Sequence, residues 1–376
     1  MKGSGRRRVS TAAKSTHRRG LPVKSGRART PIPHSRPTLT VADRRAVDDV
    51  VISGMLAEGD RVKEFEGAMA RYLGLAGGVA ASTGADALFL ALKGLNIGGG
   101  DEVILPTYTC RAVWDAVAAC GARPVLCDVD EDWCMSVETV KPCLTRRTKA
   151  LILVHVFGIA AKDTAALCKM GVPVIEDCCQ SLGAALDGRM CGTFGQACVL
   201  SFHATKLLAT GEGGMVLAGN HGTLERLRLL KHGRPGGLVA RHRSALTDLQ
   251  AALGLSQLGQ YDRFLAQRRR LADLYFSQLA GLSVDLPESV RDRSIHFRFP
   301  LKAPGKFETL QTRFLDMGIH VRRGVDALLH TLAGMRQGRF PRASAHFERT
   351  LSIPLYPALR DDECERIVAA CRRILR

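Results

Sequence analysis

The sequence predicts an α/β protein: a mostly parallel sheet covered by helices on both faces, followed by a smaller α+β part. Three observations carry this reading. Residues 103–105, 150–156 and 172–177 are short, largely apolar runs, the pattern of strands buried on both faces. Between them lie stretches with helical spacing, and such alternation predicts parallel strands joined by helical crossovers. After about Thr247 the alternation stops and long helical stretches take over.

The elements follow in order from about Val79. The turn Gly98-Gly99-Gly100-Asp101 leads into a strand at 103–105, and 111–119 reads as a helix. Residues 124–128 form a strand ending in an acid. Residues 150–156, apolar except for His155, are the clearest buried strand. A helix over 163–169 is followed by a strand over 172–177 that ends in acids. Strands are expected at 197–202 and 215–218, and a short helix at 224–230. Beyond these, 248–260 and 262–279 have apolar residues at three- and four-residue spacing and read as helices. A strand at 295–301 and a final helix at 361–375 complete the second part. The expected division is a basic tail over 1–36, a large domain over 37–250 and a small C-terminal domain over 251–376. No internal repeat is visible.

A chain of 376 residues with 46% hydrophobic and 24% charged residues is ordinary for a globular protein of more than one domain. Its net charge of +18 is unevenly spread, because residues 1–36 carry +11 with no acid at all. That segment has few large apolar residues and is expected to be disordered. No apolar core follows Arg6-Arg7-Arg8, so it does not read as a secretory signal. A solvated leader, or an extra stretch from an upstream start, is preferred over tethering to nucleic acid. The apolar runs are too short for a membrane helix. The 12 cysteines include no C-x-x-C pair and do not form a metal-ligand pattern. They read as small core residues in a reducing cytoplasm.

In sheets of this kind ligands sit beyond the carboxyl ends of the strands, so the residues just after each strand are the candidates for chemistry. Lys206 follows the strand at 197–202, ahead of Gly211-Glu212-Gly213-Gly214. A lysine amine there, taken out of water, can form a Schiff base with an aldehyde. The bland alternative is a solvated surface lysine. Asp177 closes its strand and is placed to keep a pyridine nitrogen protonated; the alternative is a strand-end turn acid. Ser82-Thr83-Gly84-Ala85 opens a helix, whose free N–H groups suit a phosphate and whose glycine allows close approach. Each signal alone is weak. Phosphate cradle, ring acid and lysine in spaced order on one scaffold form a much stronger one.

From about Thr38 to the C-terminus the chain resembles the sugar aminotransferases of the DegT/DnrJ/EryC1/StrS family, in the aspartate aminotransferase-like fold type I superfamily. The resemblance rests on Gly59-Asp60-Arg61-Val62-Lys63-Glu64-Phe65-Glu66, the 82–88 turn, Gly98-Gly99-Gly100-Asp101-Glu102-Val103-Ile104 and Pro106-Thr107-Tyr108-Thr109. It continues through Val154-His155-Val156-Phe157-Gly158, Ile175-Glu176-Asp177-Cys178-Cys179-Gln180-Ser181, the 201–206 and 211–215 segments, Thr247-Asp248-Leu249-Gln250 and Ile353-Pro354-Leu355-Tyr356-Pro357. It implies pyridoxal 5′-phosphate as cofactor. It places Lys206 at the cofactor-bearing lysine, Asp177 at the partner of the pyridinium nitrogen and Gln180 beside the ring's phenolic oxygen. Gly84, Ala85 and Ser201 fall at the phosphate. His203 lies within the motif without an assigned role. The family also implies a homodimer with shared sites, in which a residue before Thr247 reaches the partner's phosphate; Arg243 stands at that position.

Three departures stand out. Ala85 replaces a common threonine and keeps only the backbone contact. Cys110 stands where relatives often stack an aromatic ring on the cofactor, and Tyr108 is the candidate to compensate. Arg243 replaces an asparagine. The resemblance implies transfer of an amino group from glutamate or glutamine to a small-molecule keto-sugar, a nucleotide-linked 3- or 4-keto-hexose, or to a keto-cyclitol. Arg322 and Arg323 could face a diphosphate, but plain surface charge is the preferred reading. A sugar dehydratase or lyase is the rival enzyme, but such relatives carry histidine where this chain has Lys206. A non-catalytic binding or regulatory relative is the third reading. Neither a metal nor a membrane partner is expected.

Overall fold

Apolar residues fill both faces of a seven-stranded sheet, so its strands are buried almost throughout. The strands are β1 (Gly77–Ala81), β2 (Glu102–Pro106), β3 (Arg123–Cys127), β4 (Thr148–Val154), β5 (Val174–Asp177), β6 (Ala197–Ser201) and β7 (Gly214–Ala218). This is a computed structural model, and it describes residues 30–233 and 241–376. Strand order is β1-β7-β6-β5-β4-β2-β3. β7 alone runs against its neighbours, pairing antiparallel with both β1 and β6. The pairs β2–β3, β2–β4, β4–β5 and β5–β6 are parallel. Asp177 therefore lies across from Val154 on one side and Val199 on the other, at the carboxyl edge.

Helix Gly84–Gly94 follows β1 and helix Arg111–Ala119 follows β2. Two helices not foreseen in the sequence, Val41–Ser53 and Asp60–Leu73, precede the sheet. Helix Asp248–Gly259 packs on both of them. The Asp248 carboxylate accepts N–H bonds from Gly59 (2.9 Å) and Val62 (3.1 Å), and Gln257 donates to Asp43 at 2.8 Å. The expected domain boundary at 250/251 thus falls inside one helix, and that helix is held by the N-terminal helices. The next helix, Tyr261–Gln278, leads into the C-terminal part. There a two-stranded antiparallel sheet pairs β8 (Phe299–Lys302) with β9 (Thr350–Ile353), and helix Asp361–Ile374 closes the chain.

Three other expectations need correction. The strand foreseen at 295–301 begins only at Phe299. His296 adopts a left-handed φ of 57°, and Ile295 N–H donates to Gly158 O at 3.0 Å, so this stretch wraps the loop after β4 instead of pairing as a strand. The helix foreseen at 163–169 shrinks to Thr164–Leu167. The tail expected to be disordered through residue 36 is docked by its last residues. Ile32 is 0% exposed and bridges to Ile319, the buried His34 Nε2 sits 2.9 Å from Ser352 Oγ, and Arg36 donates to Ala358 O at 3.1 Å. A Pro-Ile-Pro-His segment has little surface to bury alone, but Ile32 enters a core already built by others. Residues 1–29, the bulk of that tail, lie outside the described residues. No helix among the described residues is long and apolar enough to cross a membrane.

Candidate active site

A cavity of about 260 Å³ opens at the carboxyl ends of β4, β5 and β6. Its walls include Gly84, Ala85, Cys110, Asp177, Gln180, Ser201, His203 and Lys206, so six of the seven residues expected at the cofactor converge on one space. Arg243 is the seventh. It is exposed and does not line this cavity in its own chain.

One wall is the start of helix Gly84–Gly94. Thr83 caps it by accepting from Asp86 N–H at 3.1 Å. The N–H groups of Gly84 and Ala85 have no acceptor inside the helix and form an anion seat. Glycine is required at 84 by contact. A Cβ there would lie 2.8 Å from Ser201 Cβ and 3.1 Å from its Oγ. The 82–85 turn and the Ser201 hydroxyl are thereby pressed together. Asp86 accepts from Ser82 and Thr83, and its Oδ1 meets His242 Nε2 at 3.2 Å. Ser244 Oγ accepts from Ser82 N–H at 2.9 Å. The two neighbours of Arg243 are therefore pinned to this chain's own 82–86 turn.

At the sheet edge, Asp177 accepts from Cys179 N–H at 3.0 Å and lines the cavity. Gln180 Oε1 accepts from Phe157 N–H at 2.8 Å, which fixes the amide so that its NH₂ group is the free donor. Cys110 lies close enough to feel both Asp177 and Lys206. Cys110 is exposed as a residue, but desolvation of its thiol, then the Asp177 carboxylate, push the thiol pKa up, so it is a neutral wall residue. Tyr108 does not replace the missing ring: it is fully buried, edge-on to Phe157 and packed against Gly324. His203 Nδ1 accepts from Thr205 N–H at 3.2 Å, and its Nε2 points to Glu212 at 3.7 Å. Lys206 Nζ lies 5.5 Å from the centre of the Phe297 ring.

Behind Asp177 the buried Glu176 ties down the loop after β5. It accepts N–H bonds from Gly192 (2.8 Å), Phe194 (2.6 Å) and Gly195 (2.7 Å), and meets His155 Nε2 at 3.1 Å. Burial opposes its charge, but His155 and these N–H groups outweigh it and hold its pKa low. His155, Glu176 and Cys178 offer ligand atoms within 4.8 Å of one another. Hydrogen bonds already occupy both imidazole nitrogens and both carboxylate oxygens, so this group is structural.

A second cavity of about 350 Å³ shares His203 and Thr205 with the first and continues outward past His34, Arg268, Phe297, Arg298 and Arg322. Arg322 pairs loosely with Asp326 at 3.7 Å. Arg323, the other arginine weighed as a diphosphate contact, is bound to Glu308 and donates to Phe347 O at 2.9 Å. Arg268, Arg298, Phe297 and His34 were missed in the sequence. The one available signal was a charged Arg298 between two phenylalanines in a run read as a strand.

Comparison with known proteins matches this fold. The model of the DegT/DnrJ/EryC1/StrS aminotransferase family matches residues 37–372. This chain belongs to that family. Aminotransferases of the DegT/DnrJ/EryC1/StrS family depend on pyridoxal phosphate, and this member is an aminotransferase. A UDP-N-acetyl-3-dehydro-α-D-glucosamine 3-aminotransferase of Acidithiobacillus ferrooxidans is 34% identical over 84% of this chain and 89% of its own. GDP-perosamine synthase of Vibrio cholerae is 32% identical over 89% of this chain and 97% of its own. A protein described as a sugar aminotransferase of Streptococcus pneumoniae, in its PLP form, shares the fold with a TM-score of 0.83. It is 24% identical and covers 92% of this chain and 100% of its own.

The residues present fit the family's cofactor. The uncapped N–H groups at Gly84 and Ala85 suit its phosphate, the fixed Gln180 amide offers a donor where its ring oxygen is expected, and Asp177 offers a carboxylate at the far end.

Proposed function

We propose that this protein binds pyridoxal 5′-phosphate on Lys206 and transfers an amino group from glutamate or glutamine to a nucleotide-linked keto-hexose. The convergence of Lys206, Asp177, Gln180, Ser201 and the Gly84 turn on one cavity carries this reading. The bound cofactor supplies an aldehyde that takes up an amine and a ring that draws electrons from the adjacent carbon. The protein does the rest. The helix start and Ser201 hold the phosphate. Asp177 would keep a proton on the ring nitrogen, and the Gln180 amide would donate to the ring oxygen. Lys206 Nζ would hold the cofactor and, as a free amine, would serve as the base and acid that moves a proton at the donor's α-carbon. In the second half the same amine runs these steps backwards on the keto-sugar. A nucleotide-linked acceptor is supported by the curated relatives, which carry UDP- and GDP-linked names. An arginine-lined cavity leading off the site also suits a diphosphate.

A homodimer belongs to this proposal. Leu39, Val41, Val51, Ile52, Met55 and Leu56 are exposed together around the first helix, with Ile52 83% and Met55 70% exposed. A second copy of the chain is the partner that would cover them. The free state of all 12 cysteines suits the cytoplasm.

Variants at two residues test the chemistry. Lys206→Ala should abolish transfer and remove the near-visible absorbance of the lysine-bound cofactor while the circular dichroism spectrum stays the same. Asp177→Ala should retain some cofactor yet lose at least ~100-fold in rate, as removal of a preorganised charge does. Turnover by Lys206→Ala would overturn the assignment of the lysine.

A further inference from the structure

Lys206 and Arg298 flank one ring. Lys206 Nζ lies 5.5 Å and Arg298 Cζ 5.8 Å from the centre of Phe297. Arg298 is half-buried. Its Nη1 donates to the carbonyls of Arg323 (3.1 Å) and Gly324 (2.9 Å), which fixes the guanidinium plane. Among the described residues no carboxylate pairs with it, and none pairs with Arg268. Arg268 is 4% exposed and donates through Nη1 to the carbonyls of His296, Phe297 and Leu355, while its Nε has no partner. The cavity these residues line has three guanidinium groups and a single acid, the exposed Asp326. His34, the remaining titratable group on that wall apart from His203, adds no charge. Burial first, then Arg298, Arg322 and Arg268, hold its pKa well below the usual range.

Arg268 and Arg298 carry charge with no paired carboxylate among the described residues, Arg322 has only the loose and exposed Asp326, and charge drawn even partly out of water is costly unless an anion enters. The cavity adjoins the lysine through His203 and Thr205, so that anion is part of a reacting molecule. An aminotransferase uses one site twice. The donor amino acid carries carboxylates, and a nucleotide-linked acceptor carries a diphosphate. Both present oxyanions that a planar guanidinium grips with two N–H groups.

We propose that Arg298 is a shared substrate-binding residue: it holds a donor carboxylate in the first half-reaction and an acceptor phosphate in the second. This deepens the reading of a nucleotide-linked acceptor and rests on it. An uncharged keto-cyclitol would leave Arg298 to the donor alone.

The test separates the halves on the holoenzyme. Glutamate is mixed with the cofactor-loaded protein, and the loss of near-visible absorbance gives one half-saturation concentration. A nucleotide-linked keto-hexose is then mixed with the aminated form, and the return of the band gives the other. Arg298→Gln should raise both half-saturation values by ~10-fold or more and leave the limiting rates within about threefold, with partial recovery in Arg298→Lys. Binding of 2-oxoglutarate and of pyrophosphate, measured by calorimetry with and without cofactor, should weaken by a similar factor. Should Arg298→Gln fold poorly, Arg298→Lys, which keeps charge but not the fork, takes its place and should weaken both probes less strongly. Unchanged values in both halves would overturn the proposal, and so would a change confined to one half. If the wild-type protein aminates no nucleotide-linked ketose, the proposed acceptor is wrong. The shared seat is then judged on the two probes, and stands only if both bind more weakly in the variant.

Discussion

Gly84 shows how closely single residues are specified here. It sits at the first position of a helix, where its backbone is ordinary, and alanine would favour that helix by ~1 kcal/mol. Contact with Ser201 forbids the extra carbon. Gly84→Ala should therefore lower thermal stability modestly, because local overpacking of about 1–3 kcal/mol outweighs the gain in helix propensity. It should weaken cofactor binding by about tenfold, since Ser201 and the N–H pair no longer meet the same phosphate. Titration of the apoprotein with pyridoxal phosphate reads this directly, and wild-type affinity would show that Ser201 and the turn are not pressed together as described. Cys110 makes the complementary point. It occupies the wall where a ring would stack, and Tyr108 turns into the core, so one face of the cofactor site is bounded by small side chains.

At the scale of elements, the candidate site lies at loops that follow buried strands. Those strands were legible because burial on both faces leaves continuous apolar runs, as in β4 and β5. Asp177 and Lys206 were legible for the same reason, since each ends or follows such a run. The strand at 295–301 was misread because Ile295, Phe297 and Phe299 alternate as strand residues do. In the fold Phe297 and Arg298 turn into a cavity, and only tertiary contacts with the loop at Gly158 decide that. Residues 31–36 were misread because composition measures what a segment can bury alone, whereas Ile32 uses a core made elsewhere. A truncation pair tests this element. Removal of residues 1–29 should change neither melting temperature nor turnover. Removal of 1–36 also takes away the buried Ile32, at a cost of ~1.5–3 kcal/mol, together with the His34–Ser352 contact on the arginine-lined wall. Melting should then fall by several degrees and the acceptor's half-saturation value should rise. Equal behaviour of the two truncations would show that the docked segment contributes nothing.

At the scale of the whole molecule, the question is whether one chain completes its own site. Arg243 is exposed and outside the cavity of its chain, while its neighbours His242 and Ser244 hold the segment against that chain's phosphate turn. A two-fold partner covering the apolar surface around the first helix buries the same patch on both subunits. Under the shared-site proposal, Arg243 then serves the phosphate of the other subunit. Arg243→Ala alone should weaken cofactor binding, and Lys206→Ala alone should be inactive. In a mixed dimer one site carries both defects and the other carries neither. Random mixing of equal amounts makes half of the dimers mixed, so activity should return to about a quarter of the wild-type level per site. If Arg243 served its own chain, every site in the mixture would keep one defect, and activity would stay at the average of the two parents. Exchange is verified separately by a size or tag difference between the subunits. The return of activity, or its absence once exchange is shown, decides which subunit owns the arginine.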